Sequence, residues 1–219
     1  AVLLGRLAPA LVTVGISRRD MLDVDQQRRE LPAPPLVAAN RQRAQRIAVV
    51  AVAPCDELGA LRLNAVSMET DMARTHDQLA ALADMVIERG MMFTLEFAPP
   101  NAIDSLQSAL AAVEHVGRGR CRILLDAMHF FRCGATVEDL EALDPDLVGY
   151  AQLCDAPLVS KGGTYMQEAM FERMVPGSGE LPLRQWIAAL PADVEIGLEV
   201  PRIGDLLGGM SPRDHAARC

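Results

Sequence analysis

RILLDAMHFF, residues 122–131, is an apolar run that stops on an acid. Ile123, Leu124 and Leu125 read as a buried strand, with Asp126 near its C-terminal end. Three other runs repeat the pattern: MMFTLEFAPP (91–100) carries Glu96, VGYAQLCDAP (148–157) carries Gln152, and EIGLEVP (195–201) carries Glu199. Helical stretches separate them. Parallel strands that alternate with helices present their C-terminal ends on one face, so these four side chains are expected to converge. Oxygen donors of this kind suit a hard or borderline divalent metal.

Outward from these runs the alternation continues. ALVTVG (10–15) and ALRLNAVS (60–67) read as strands. Residues 17–36 are charged and then proline-rich, which predicts a loop or broken helix, and residues 37–58 predict a helix ending at Gly59. Leu79, Leu82, Ala83, Val86 and Ile87 recur at helical spacing before Gly90. NAIDSLQSALAAVEHVG predicts a helix with Asp104 in its first turn; VEDLEAL, LPLRQWIAAL and the start of SPRDHAARC predict three more. The total is six strands, whereas a (β/α)8 barrel needs eight. The fold class expected is therefore α/β, a TIM barrel of about six β/α units in one domain over residues 1–219. Such a barrel would lack its first strands and most of its last helix, and its open edge predicts either cover by another subunit, as in a homo-oligomer, or poor solubility. A doubly wound sheet is the rival, but no GxGxxG or GxxxxGK[ST] phosphate loop is present.

Composition narrows the function classes. The chain has 219 residues, 50% hydrophobic and 23% charged, enough for a full core. Its net charge of −8 disfavours a nucleic-acid partner. No apolar run reaches the roughly 18–20 residues of a membrane span, and Arg6 and Pro9 interrupt the apolar N-terminus, so neither a membrane partner nor a signal peptide is expected. Five cysteines, none in a CxxC pair, predict a reduced, cytoplasmic chain.

Several residues admit two readings. Buried carboxylates at Glu96, Asp126 and Glu199 are costly unless metal-bound or ion-paired. Gln152 alone would read as a satisfied hydrogen-bonder; its case rests on its place in the series. His129, three residues after Asp126, is either a general base or a hydrogen-bonded loop histidine. His76, His115 and His215 are expected on the surface. Residues 156–182 form a long Gly/Pro-bearing stretch of the kind that is more often functional than filler. In and beside it, Asp155, Lys161 and Arg173 are candidate substrate-binding groups, with a loop cap and solvated charges as the plain alternatives. Met166, Met170 and Met174 predict one face of a helix, and Trp186 a core position.

TLEF with Glu96, LLDAMHFFRCG with Asp126 and His129, YAQLCDAP with Gln152 and Asp155, VPGSGELPL, and GLEVP with Glu199 together resemble the xylose-isomerase-like barrel superfamily of sugar isomerases, epimerases and dehydratases. The resemblance spans roughly residues 60–212. It implies metal ligands at Glu96, Asp126, Gln152 and Glu199, a divalent ion (Mg, Mn, Co or Zn), and a small sugar-like or hydroxy-acid substrate. Glutamine rather than histidine at 152, followed by Asp-Ala-Pro, and the Asp126-x-x-His129 pair look closer to bacterial 3-dehydroshikimate dehydratases. The family's usual PGEG reads PGSG here, and Arg173 is retained while Met170 replaces a second arginine. The chemistry implied is α-proton abstraction with enediolate or enolate stabilisation. Glu96 and Glu199 serve as acid and base in an isomerase or epimerase, and His129 assists in a dehydratase. An endonuclease IV-like metallonuclease and a non-catalytic barrel relic are the alternatives.

Overall fold

The computed structural model describes the backbone of residues 10–15, then Cys55, residues 59–67 and residues 71–219. The proline-rich loop expected at 17–36 and the helix expected over 37–58 lie outside the described residues, apart from Cys55, which is helical and buried. The chain divides into two compact units, one built from residues 1–95 and 112–122, the other from 96–111 and 123–219.

In the first unit, β1 (Ala10–Gly15) pairs antiparallel with β2 (Arg62–Ser67), Ala10 facing Ser67 and Gly15 facing Arg62. The expectation of six parallel strands is thereby corrected. A short apolar strand carries no signal of direction; direction is set by the connection, and most of that connection lies outside the described residues. Leu63 through Ser67 are all buried, the continuous burial of a strand covered on both faces. Helix α1 (Met72–Ile87) follows, with Asp71 accepting from the Arg74 N–H at 3.1 Å as its N-cap. Thr75, Leu79, Leu82, Ala83 and Val86 form its buried stripe. Gly90, at φ 72°, ends it as the sequence predicts. Strand β3 (Met92–Glu96) comes next. The Thr94 hydroxyl donates to Asn64 Oδ1 on β2 at 3.1 Å, which satisfies both buried polar side chains.

Helix α2 (Leu106–Val116) starts two residues beyond Asp104, so Asp104 precedes the first turn rather than lying in it. Ser108 Oγ accepts from the backbone N–H groups of Asp104 and Ser105, each at 3.0 Å.

The second unit holds three parallel strands: β4 (Arg122–Asp126), β5 (Val148–Leu153) and β6 (Ile196–Leu198). Asp126 stands beside Gln152, and Gln152 beside Gly197. Between β4 and β5 run α3 (Ala127–Arg132) and α4 (Val137–Glu141), the latter opened by a capping box of Thr136 and Asp139. Between β5 and β6 run α5 (Tyr165–Phe171) and α6 (Leu183–Ala189). After β6 come α7 (Ile203–Leu207) and α8 (Pro212–Arg218). The core of this unit gathers Ile123, Leu124, Leu125, Met128, Phe130 and Trp186. Phe130 and Trp186 meet edge-on at 6.3 Å. Burial of each such side chain contributes about 1.5–3 kcal/mol. Among the described residues, no helix is long and apolar enough to cross a membrane.

Two short helices, α3 and α7, escape the sequence pattern because neither is long enough to show a 3.6-residue period. Helix α3 exists because Asp126 closes the strand and opens the helix at once. Its carboxylate accepts from the His129 N–H at 2.9 Å.

Candidate active site

The second unit brings the strand-end polar residues together. Asp126 ends β4, and its capping bond folds His129 back over it, with His129 Nδ1 3.5 Å from Asp126 Oδ1. His129 Nε2 lies 3.4 Å from Glu96 Oε1. One donor atom each from Glu96, Asp126 and His129 falls within 4.8 Å of the others, and all three residues are buried. Gln152, adjacent to Asp126 in register, is buried and its Oε1 has no hydrogen-bond partner. A buried amide oxygen without a donor costs about 1–3 kcal/mol, so it marks a place built to receive one.

Glu199 stands just past β6, its N–H donating to Leu153 O at 3.2 Å. Side chains alternate along a strand, so Glu199 shares the face of Gly197, and Ile196 and Leu198 point the other way and are exposed. Gly197 has a steric reason: a Cβ there would lie 1.9 Å from the Tyr150 hydroxyl.

Arg173 fastens the acids. Its Nη1 donates to Asp126 Oδ2 and, at 3.1 Å, to Glu199 Oε2; its Nη2 lies 3.2 Å from His129 Nε2, and its Nε donates to Ala169 O at 2.9 Å. It is therefore a buried partner of the acids and not a solvated loop charge. Burial pushes the Asp126 carboxyl up, but the charges of Arg173 and His129 and their hydrogen bonds outweigh it and hold its pKa below the ordinary value. Burial pulls the His129 imidazole down to about 4, with Arg173 acting in the same direction and Asp126 opposing. His129 is a neutral imidazole at neutral pH. Cysteine offers no rival ligand or nucleophile here. Burial drives the Cys121 and Cys133 thiols up to about 12 and raises Cys154 as well, so none is a thiolate at neutral pH.

The candidate substrate groups part ways. Asp155 is fully occupied with backbone: it accepts from the N–H groups of Ala156 (2.9 Å), Gly177 (2.9 Å), Gly179 (2.8 Å) and Leu181 (3.2 Å). That carboxylate shapes the PGSG turn, and Gly179 must be glycine because a Cβ would come 2.3 Å from Asp155 Oδ1. Lys161 is exposed and makes none of the cluster's contacts. The other histidines are also engaged elsewhere. His76 and His115 pack ring to ring at 5.0 Å in the first unit, and His215 Nε2 lies 2.9 Å from Val200 O.

Sequence reasoning missed Tyr165, whose hydroxyl lies 2.6 Å from His129 Nδ1, and the part-buried pair of Arg132 with Glu168 at 2.7 Å. The available signal was Thr164, an N-cap accepting from Gln167 N, which starts α5 inside the long 156–182 stretch. The methionine face was half right: Met166 is exposed, and Met174 lies past the end of α5.

A family model described as "Xylose isomerase-like TIM barrel" matches residues 30–216. The chain belongs to this family. No curated protein matches it. Among solved structures, the IolI protein with a zinc atom superposes with a TM-score of 0.65 at 20% identity, over 75% of this chain and 64% of that one. The probable 3-DHS dehydratase AsbF from Bacillus anthracis gives a TM-score of 0.57 at 14% identity, covering 81% and 71%. An L-ribulose 3-epimerase gives 0.59 at 17%, covering 77% and 59%. At these identities the likeness establishes the barrel family fold and nothing finer. The chain spans just under two thirds of the IolI length. Within a xylose-isomerase-like barrel, the C-terminal strand ends are where active sites are built, and Glu96, Asp126, Gln152 and Glu199 occupy such ends here.

Proposed function

We propose that the chain is a divalent-metal-dependent enzyme that isomerises, epimerises or dehydrates a small sugar-like polyhydroxy carbonyl compound. The observation that carries this reading is the convergence of donor atoms from Glu96, Asp126 and His129 within 4.8 Å, beside the unpartnered Gln152 Oε1. Carboxylate and amide oxygens at successive strand ends, without a thiolate, fit Mg, Mn, Co or Zn. Glu96, Asp126, Gln152 and Glu199 are the residues that would hold the ion. When bound, it would supply Lewis acidity that stabilises the negative charge developing on substrate oxygen as the α-proton leaves.

The chain's own groups account for the rest. In an epimerase-type exchange, Glu96 and Glu199 would serve as the proton donor and acceptor pair. In a dehydration, His129, neutral at neutral pH, takes up the α-proton or returns one to the departing hydroxyl. Arg173 keeps Asp126 ionised and so available as a ligand. Its guanidinium also stands next to both candidate bases, where a substrate oxygen would meet a fixed hydrogen-bond donor. The IolI protein's zinc atom, the dehydratase and the epimerase among similar structures agree with this reading. All five cysteines are free, in keeping with the reducing cytoplasm.

The test is turnover of ketoses, with exchange of the α-proton for deuterium, and of 3-dehydroshikimate, each assayed before and after chelation. Activity should vanish on chelation and return with Mn, Co or Mg. His129→Ala sorts the chemistry: a large loss in kcat with metal content unchanged marks the dehydratase, a modest loss the epimerase. Full activity after complete metal removal would overturn the proposal.

A further inference from the structure

Helix α5 faces α3 through two contacts with the same spacing on each side. His129 and Arg132 lie three apart on α3; Tyr165 and Glu168 lie three apart on α5. Tyr165 Oη meets His129 Nδ1 at 2.6 Å, and Glu168 Oε1 accepts from Arg132 Nη2 at 2.7 Å. The second contact is a bidentate pair, with Arg132 Nε donating to Glu168 Oε2 at 3.0 Å. Its side chains are only 12% and 7% exposed. Arg132 also donates to Pro157 O at 2.7 Å and Leu158 O at 3.1 Å, which ties down the segment leading into α5. A part-buried bidentate pair fixes position and orientation together, so the Tyr165 hydroxyl is held against the imidazole by a dedicated clamp.

The other side of the imidazole fixes where its proton lies. Arg173 Nη2 lies 3.2 Å from Nε2 and can only donate. A proton on Nε2 would face that donor; Glu96 Oε1, the competing acceptor, is farther away at 3.4 Å. On the opposite edge, Nδ1 faces two oxygens, Tyr165 Oη and Asp126 Oδ1. The arrangement that suits the Arg173 donor puts the proton on Nδ1, donating to the phenol oxygen, and leaves the Nε2 lone pair to accept from Arg173 Nη2. Burial raises the Tyr165 pKa and keeps the phenol protonated, so the contact is between neutral groups.

From these contacts we infer that Tyr165 is a positioning residue for the proposed reaction: its hydroxyl fixes the tautomer and orientation of His129, with the Arg132–Glu168 pair locating the helix that carries it. This rests on the proposed role of His129, but half of its test does not. In full-length protein labelled with 15N-histidine, His129 resonances are assigned by their loss in His129→Asn, and long-range 1H–15N correlation reads which ring nitrogen bears the proton. The wild type should show Nδ1–H. Tyr165→Phe removes one oxygen and should retain the fold, yet shift His129 to a mixture of tautomers. It should lower kcat about 10- to 100-fold with KM within about twofold, the usual consequence of losing a hydrogen bond that orients a working histidine. A wild-type Nε2–H tautomer, or a Tyr165→Phe protein with tautomer and kcat both unchanged, overturns the inference. If no substrate is turned over by the wild type, the functional proposal falls, while the tautomer measurement still decides this one.

Discussion

Glu96→Gln and Glu199→Gln are each expected to lower turnover by at least about 10³-fold while leaving the fold intact. Each substitution removes a negative oxygen from the ion's surroundings and a proton carrier from the substrate's, and general acid–base and metal contributions are each worth orders of magnitude. The fold should survive because both side chains stand at strand ends, with Glu199 32% exposed, and neither supplies apolar area to the core. Steady-state kinetics with circular dichroism on the same samples checks both halves. Unchanged kcat in either variant would remove that glutamate from the chemistry.

The second large effect is on stability. Arg173→Met should destabilise the metal-free protein by about 3–5 kcal/mol, read as a lower urea midpoint, because it leaves Asp126 as a buried charge without its ion-pair partner. The sign with pH follows from the depressed Asp126 pKa. A carboxyl with a lowered folded-state pKa contributes stability that is present above its unfolded value, about 3.9, and is lost as pH falls through the lower folded value. The difference between wild type and Arg173→Met should therefore be full at neutral pH and shrink below about pH 4. A variant as stable as wild type at pH 7 would show that the Asp126–Arg173 pair contributes nothing to the fold.

Much of this arrangement was legible in the chain before any coordinates. Apolar runs closing on Glu96 and Asp126 mark strand ends because burial along the run is nearly continuous and only the mouth tolerates a polar group; the run before Glu199 reads the same way in sequence, yet its Ile196 and Leu198 are exposed. The stripe of Leu79, Leu82, Ala83 and Val86 marks α1 for the same reason of periodic burial. What the pattern does not encode is direction and pairing across distance. Nothing in ALVTVG distinguishes an antiparallel partner from a parallel one, and β1 proved antiparallel. Asp155 reads in sequence either as a ligand-facing acid or as a loop cap, and only the fold decides: here it gathers four backbone N–H groups. Arg173 as a clamp on Asp126, and Tyr165 as the partner of His129, depend on contacts 47 and 36 residues apart. No local spacing announces such contacts. The long 156–182 stretch stands out by its length, and within it α5 supplies both Tyr165 beside His129 and the Ala169 carbonyl that accepts from Arg173.

The claim on which the rest depends is that Glu96, Asp126, Gln152 and Glu199 hold a divalent ion. Elemental analysis of the chain purified without chelator, followed by calorimetric titration of the stripped protein with Mn, Co and Zn, tests it most directly. A single tight site per chain is expected, lost in Asp126→Asn and weakened at least about tenfold in Gln152→Ala. A wild-type protein that carries no divalent metal and shows no saturable binding of any of the three would contradict it.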